Sequence, residues 1–168
     1  MLCVIARLSA DATERLRLLR DTVLSPEQAR TPLYGHITIA TYLPEDDGAF
    51  IRACGDMLRD DHPFSVRYEK IEVLFRTSII VATPAKTGEL LSMHDRIAGY
   101  SGGSLDRWTC GNDWYPHTTL LHDPEADLDS LCRAMRRHFV PFDTLIRQIE
   151  LSKVEKDGYT ILETIRLR

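Results

Sequence analysis

Two imidazoles and two hydroxyls recur in this 168-residue chain in a single frame, Tyr-x-His-x-Thr. It is written as Tyr34-Gly35-His36-Ile37-Thr38 and again, 81 residues on, as Tyr115-Pro116-His117-Thr118-Thr119. The chain holds six Tyr, six His and fourteen Thr, so chance readily supplies a bare His-x-Thr but not a doubled five-residue frame. In an extended strand, side chains at i, i+2 and i+4 share one face. Two such strands side by side put two imidazoles and two hydroxyls over one pocket. Imidazole is the one side chain whose ordinary pKa lies near neutrality. A neutral histidine takes a proton from an attacking oxygen while a protonated one gives a proton to a leaving oxygen. A threonine about 7 Å further along the strand can donate a hydrogen bond to a non-bridging phosphoryl oxygen. Neither role needs a metal. The set suits hydrolysis of a cyclic phosphodiester, with water entering opposite a departing ribose oxygen.

His36, Thr38, His117 and Thr119 are therefore the candidate catalytic residues. Tyr34 and Tyr115 open their strands either as packing residues or as pocket walls that stack on a base or bond phosphate. His122 is an odd number of residues from His117 and should face away from the pocket. His62, His94 and His138 read as structural or solvated, as do Arg76, Lys153 and the helical cluster Arg133, Arg136 and Arg137. Trp108 and Trp114 flank the second frame, and their spacing assigns them no role.

The elements that must position these residues follow from pattern. Met1 to Leu8 reads as a strand rich in apolar residues, interrupted by Arg7. Ser9 caps a helix through Leu24, with Leu16, Leu19 and Val23 on its apolar side. The first motif strand runs over 35–43 and ends at Pro44 and an acidic run. A helix over 49–59 and a strand over 64–75, with Phe64, Val66 and Tyr68 alternating, complete the first half. The second half repeats the order: an apolar strand over 78–83, a helix over 87–98, a loop over 99–103, the second motif strand over 117–122, and a helix over 126–138. A hairpin over 142–167 closes the chain, its arms (142–154 and 159–167) joined around Lys156-Asp157-Gly158. Each half thus reads strand, helix, motif strand, helix, strand. That predicts a single α+β domain over 1–168, a duplication with two lobes of roughly 1–76 and 77–168 related by a pseudo-two-fold axis.

The bulk properties bound the partners. A length of 168 residues suffices for one core without disulfides or structural metal. A net charge of −4 argues against a broad electrostatic footprint for duplex nucleic acid. The four cysteines lie far apart, without zinc spacing, as expected in a reducing compartment. No apolar run approaches the ~20 residues of a membrane helix. We expect a cytoplasmic monomer with no cofactor, no membrane or duplex DNA partner, and a nucleotide or RNA-end substrate.

The paired His-x-Thr strands, the Pro-His-x-Thr-Leu form at Pro116–Leu120 and the duplicated element order resemble the 2H phosphoesterases. That superfamily includes the 2′-5′ RNA ligase-like proteins and the 2′,3′-cyclic phosphodiesterases. The resemblance spans essentially the whole chain. It implies a bilobal fold with both motifs at the floor of a central cleft, and metal-independent chemistry on phosphodiesters carried by His36, Thr38, His117 and Thr119. Leu120-Leu121-His122-Asp123 carries no arginine, so a small nucleotide and an RNA end both stay open as substrate. A protein of the same fold that binds nucleotides or RNA ends with little catalysis is the alternative.

Overall fold

Ser9, Asp46, Thr87 and Asp127 each precede an amphipathic run, and each side chain accepts a hydrogen bond from a backbone N–H three residues on, at Ala12, Ala49, Leu90 and Ser130. Such caps satisfy donors that a helix start leaves open. They begin α1 (Ala10–Val23), α2 (Asp47–Leu58), α3 (Gly88–Ala98) and α4 (Leu128–His138). The computed structural model describes residues 1–110, 114–155 and 158–168.

The strands are β1 (Leu2–Arg7), β2 (His36–Pro44), β3 (Phe64–Val73), β4 (Ile79–Pro84), β5 (Gly103–Leu105), β6 (Thr118–His122), β7 (Phe142–Ile146), β8 (Gln148–Glu155) and β9 (Gly158–Arg166). They form two antiparallel sheets, ordered β5-β2-β1-β8-β9 and β6-β4-β3-β7. The α+β class expected from the element order is the class observed. Helix α3 packs on β2, α4 packs on β3, and α1 lies against α4 and β7. One continuous apolar core runs from Leu2, Val4 and Ile37 through Leu16 and Leu90 to Ile71, Ile80 and Met135.

Two sequence expectations need correcting. The loop expected over 99–103 runs directly into β5, which pairs with the edge of β2. The single arm expected over 142–154 is two strands in different sheets: β7 pairs with β3, and β8 lies between β1 and β9. The burial pattern changes at Arg147. Within β7, the edge strand of its sheet, Phe142, Thr144 and Ile146 are buried on one face. After Arg147, Ile149, Glu150, Leu151 and Ser152 are all buried, so β8, flanked by β1 and β9, is covered on both faces. The expected hairpin partner is present, with β8 and β9 paired as far as Glu155 and Gly158; the Lys156-Asp157 tip lies outside the described residues.

The sheets also exchange strands between the halves of the chain. In the first sheet, motif strand β2 pairs with β1, and β1 pairs with β8 from the chain's end. In the second, motif strand β6 pairs with β4, and β4 pairs with β3 from the first half. Each half lends its closing strand to the sheet that carries the other half's motif.

Candidate active site

His36 opens β2 and His117 immediately precedes β6. Each imidazole Nδ1 lies within hydrogen-bond distance of the carbonyl of the tyrosine two residues before it: 2.6 Å from His36 to Tyr34 and 2.7 Å from His117 to Tyr115. A carbonyl only accepts, so Nδ1 carries the proton and donates in both cases. Nε2 of each ring is then the nitrogen left to exchange protons, and no hydrogen bond among the described residues engages it. Burial lowers the pKa of both histidines, and the carbonyl bonds oppose that shift. At His36 the neighbouring charges of Arg7 and of protonated His117 lower it further, while Glu150 raises it.

The frames match beyond the histidines. The Tyr34 hydroxyl donates to Glu150, and the Tyr115 hydroxyl donates to Glu72. Thr38 pairs with Ile5, which pairs with Glu150; Thr119 pairs with Val81, which pairs with Glu72. Each carboxylate therefore stands two strands away from its motif, at the same register. Two residues before each glutamate is a donor to it: Gln148 Nε2 at 2.8 Å from Glu150, and Lys70 Nζ at 3.0 Å from Glu72. Glu72 also accepts from Thr83 at 2.7 Å. Burial would raise the Glu72 pKa, but the bonds from Tyr115, Thr83 and Lys70 outweigh it and hold the group below the ordinary carboxylate value. Arg7 completes the first frame: its guanidinium sits 3.5 Å over the Tyr34 ring and donates to the Gly35 carbonyl at 2.9 Å. Gly35 is required there, because a Cβ would lie 2.2 Å from Thr13 Oγ1 on α1.

A β-bulge follows the threonine of each motif. Val4 pairs with Ala40 and Ile5 with Thr38, leaving Ile39 as the extra residue; Ile80 pairs with Leu121 and Val81 with Thr119, leaving Leu120. Bulges re-aim side chains and recur beside functional sites. Here each one lets two successive apolar residues enter the core while the His and Thr stay on the other face. The sequence expected strict alternation through His122, and the bulge breaks it. His122 is exposed and does not line the cleft.

One side chain ties the two motif strands together. Thr118 Oγ1 donates to the His36 carbonyl at 2.7 Å, so the buried Tyr68 hydroxyl, 2.6 Å away, donates to Thr118. Trp114 adds a second tie, since its Nε1 donates to the Thr38 carbonyl at 3.0 Å and its ring stacks on His94 at 4.1 Å. His94 in turn donates from Nδ1 to the Ile39 carbonyl at 2.8 Å. Trp114 and His94 are thus scaffold under the first motif.

Thr38, His117 and Tyr115 line one cleft of about 1050 Å³, together with Glu72, Phe75, Arg107 and Trp108. Neither His36 nor Thr119 is among the residues lining this cleft, although the charge of His117 is felt at the His36 ring. Tyr34 donates to Glu150 and packs edge-on against Tyr159. Thr119 is exposed beside Val81 on the second sheet. Neither the Thr38 nor the Thr119 hydroxyl is engaged by a hydrogen bond among the described residues. Of the other basic groups, Lys153 pairs with Asp47 at 3.0 Å on the surface, and Arg136 holds the Ile71 carbonyl at 2.7 Å. Among the described residues no group of three or more His, Cys, Asp or Glu is arranged to hold a metal ion, and no helix is long and apolar enough to cross a membrane.

The sequence model of the 2′-5′ RNA ligase superfamily matches residues 6–158. The chain belongs to this superfamily. The motif resemblance implied the 2′-5′ RNA ligase-like group, and the family match bears that out. Escherichia coli LigT without ligand shares 19% identity at a TM-score of 0.68, over 99% of this chain and 96% of that one. LigT complexed with 3′-AMP shares 18% at 0.70, over 99% and 97%. The protein TT0787 of Thermus thermophilus shares 16% at 0.66, over 99% and 97%. At these identities the likeness is one of fold. No curated protein matches the sequence.

Within this superfamily member, sequence reading missed Arg7, Glu72 and Glu150. A signal was available. Each is a charged residue set among apolar neighbours on a strand, in Ala6-Arg7-Leu8, Ile71-Glu72-Val73 and Ile149-Glu150-Leu151. Such a charge needs partners if it is even partly buried. What the sequence did not contain was the strand exchange that supplies those partners.

Proposed function

We propose that this protein is a metal-independent phosphodiesterase that opens 2′,3′-cyclic phosphates or 2′-5′ phosphodiester bonds of a nucleotide or RNA end, using His36 and His117 as base and acid. The observation that carries this reading is the matched pair of imidazoles, each with Nδ1–H anchored on its own tyrosine carbonyl and Nε2 unengaged. Fixing the tautomer through one ring nitrogen makes the other a defined proton acceptor or donor. We assign the base to His36, because the Arg7 charge beside it favours the neutral ring, and the acid to His117.

In hydrolysis, a water oxygen attacks phosphorus and its proton passes to His36 Nε2. The bond from phosphorus to one ribose oxygen breaks, and that oxygen takes the proton from His117 Nε2. The product is a phosphomonoester, and exchange with solvent restores both rings. Thr38 and Thr119 donate to the non-bridging oxygens as charge builds on them. LigT, of the same fold, was solved with 3′-AMP, NADP+ and ATP, which supports a nucleotide as the ligand class here. The test is a screen of nucleoside 2′,3′-cyclic phosphates and 2′-5′-linked dinucleotides, with product identified by phosphorus NMR. Turnover of at least one class to a monoester is expected. Absence of turnover on both, by correctly folded protein, would remove the reading.

A further inference from the structure

Phe75 and Trp108 are the two most solvent-exposed aromatic side chains among the described residues, 79% and 61% exposed, and both line the cleft that holds His117 and Thr38. They reach it from different elements. Phe75 stands at the tip of the β3–β4 turn, and Trp108 sits in a short 3-10 turn, Arg107–Thr109, between β5 and β6. Each carries an arginine against its ring: Arg76 at 5.0 Å from the Phe75 centroid, and Arg107 at 4.7 Å from that of Trp108.

Both platforms are held by backbone. The Thr77 N–H donates to the Leu74 carbonyl at 3.1 Å, closing a tight turn in which Arg76 has φ 58. A non-glycine residue in the left-handed region is strained, and such strain persists where the surroundings over-determine it, often at ligand sites. The Trp108 segment is pinned to β2: the Asp106 N–H donates to the Thr41 carbonyl at 2.8 Å, and Thr109 Oγ1 accepts from the Thr41 N–H at 3.1 Å. Asp106 also caps the Trp108 N–H at 3.0 Å. Two fixed, exposed aromatic faces with adjoining guanidinium groups suit a flat, electron-rich ring joined to a phosphate. Bases stack on aromatic side chains, and arginine adds cation–π and phosphate contacts.

We propose that Phe75 and Trp108 are nucleobase-stacking platforms, so that the preferred substrate carries a base beside the scissile phosphate and is a nucleotide or single-stranded end. This rests on the phosphodiesterase reading for the position of the phosphate, and it adds where the base lies.

The experiment compares kcat/KM for a nucleoside 2′,3′-cyclic phosphate with that for a base-free 1-O-methylribose 2′,3′-cyclic phosphate, in wild type and variants. Wild type should prefer the base-bearing substrate by roughly tenfold or more, the scale of one base–aromatic stack. Phe75→Ala and Trp108→Ala should each cut that ratio several-fold, and Trp108→Phe should restore most of it. Because the readout is a ratio, a general loss of folded protein cancels. Val140→Ala, an exposed apolar position outside the cleft, should leave the ratio unchanged. The second readout is tryptophan fluorescence with 3′-AMP as probe. Trp114 also lines the cleft but is only 2% exposed, so the part of the quenching that Trp108→Phe removes reports Trp108, and it should be most of the signal. A wild-type ratio near one, or equal ratios in wild type and both alanine variants, overturns the platforms and leaves the catalytic reading standing. Quenching at Trp108 without turnover of either substrate supports the platforms and removes the catalytic reading.

Discussion

At His36 and His117 a backbone carbonyl holds the tautomer, a task that a carboxylate side chain performs in many acid–base sites. Each carbonyl belongs to a tyrosine whose hydroxyl is tied two strands away, so the ring position is set by the sheet. His36→Ala and His117→Ala should each lower kcat by at least ~10²-fold, the usual scale for a lost acid or base, with melting curves confirming folded protein. Thr38→Val and Thr119→Val should cost less, since each removes one donor and nearly keeps the shape. The pH profile follows from the direction of the shifts. Burial lowers both histidines from the ordinary ~6.5, so in the free enzyme each proton is lost at lower pH than usual. The rate should rise as His36 becomes neutral and fall as His117 loses its proton. A bell in kcat/KM centred below pH ~6.5 is expected. His117→Ala should erase the alkaline limb. A profile flat from pH 5 to 9, with chemistry rate-limiting, would refute the pair.

At the scale of elements, the motif strands are joined by Thr118, the variable position of the second frame. Its counterpart in the first frame is Ile37, fully buried in the core, so the two copies differ where one must bridge to the other. Thr118→Val keeps volume but strands the Tyr68 hydroxyl and removes a bond to the His36 carbonyl. An unsatisfied buried group costs about 1–3 kcal/mol. For a chain of this size that should lower Tm by roughly 3–10 °C, read by calorimetry. Activity should fall as well, because the carbonyl concerned is that of His36. A Tm within a degree of wild type would mean the bridge contributes nothing. The bulges at Ile39 and Leu120 belong to the same scale: each permits a core residue to follow the motif without turning the motif inward.

For the whole molecule, titration couples the site to stability. The folded-state pKa values of His36 and His117 lie below the unfolded value near ~6.5, so the unfolded chain binds more protons as pH falls through it. Stability is fully present above that pH and declines on acidification. Glu72 is also held below its unfolded value near ~4.3, so its contribution persists above that pH and is lost as pH falls through the folded pKa. Tm against pH should therefore fall in two windows, and Glu72→Gln should flatten the lower one. An unchanged lower window in that variant would show that other carboxylates govern it. Activity, once a substrate is in hand, should be unaffected by EDTA, since the acid–base pair supplies both proton transfers. Loss on chelation with recovery on one divalent ion would point to different chemistry.

The sequence by itself determined most of the local order. Four helices, the Ser9 cap, the motif strands and the apolar β4 were legible because propensity, capping and hydrophobic period act over a few residues. The doubled frame was legible for the same reason, since an i, i+2, i+4 pattern needs only an extended backbone. Three features were decided by tertiary structure. The chain passes from one sheet to the other at Arg147, where β7, an edge strand buried on one face, gives way to β8, buried on both. The bulges after Thr38 and Thr119 exist only against partner strands. Glu150 reaches Tyr34 across 116 residues and Glu72 reaches Tyr115 across 43, because each half's closing strand joins the other's sheet. Strand pairing of that range is set by the burial of whole faces, a sum over many residues that no short stretch of sequence contains.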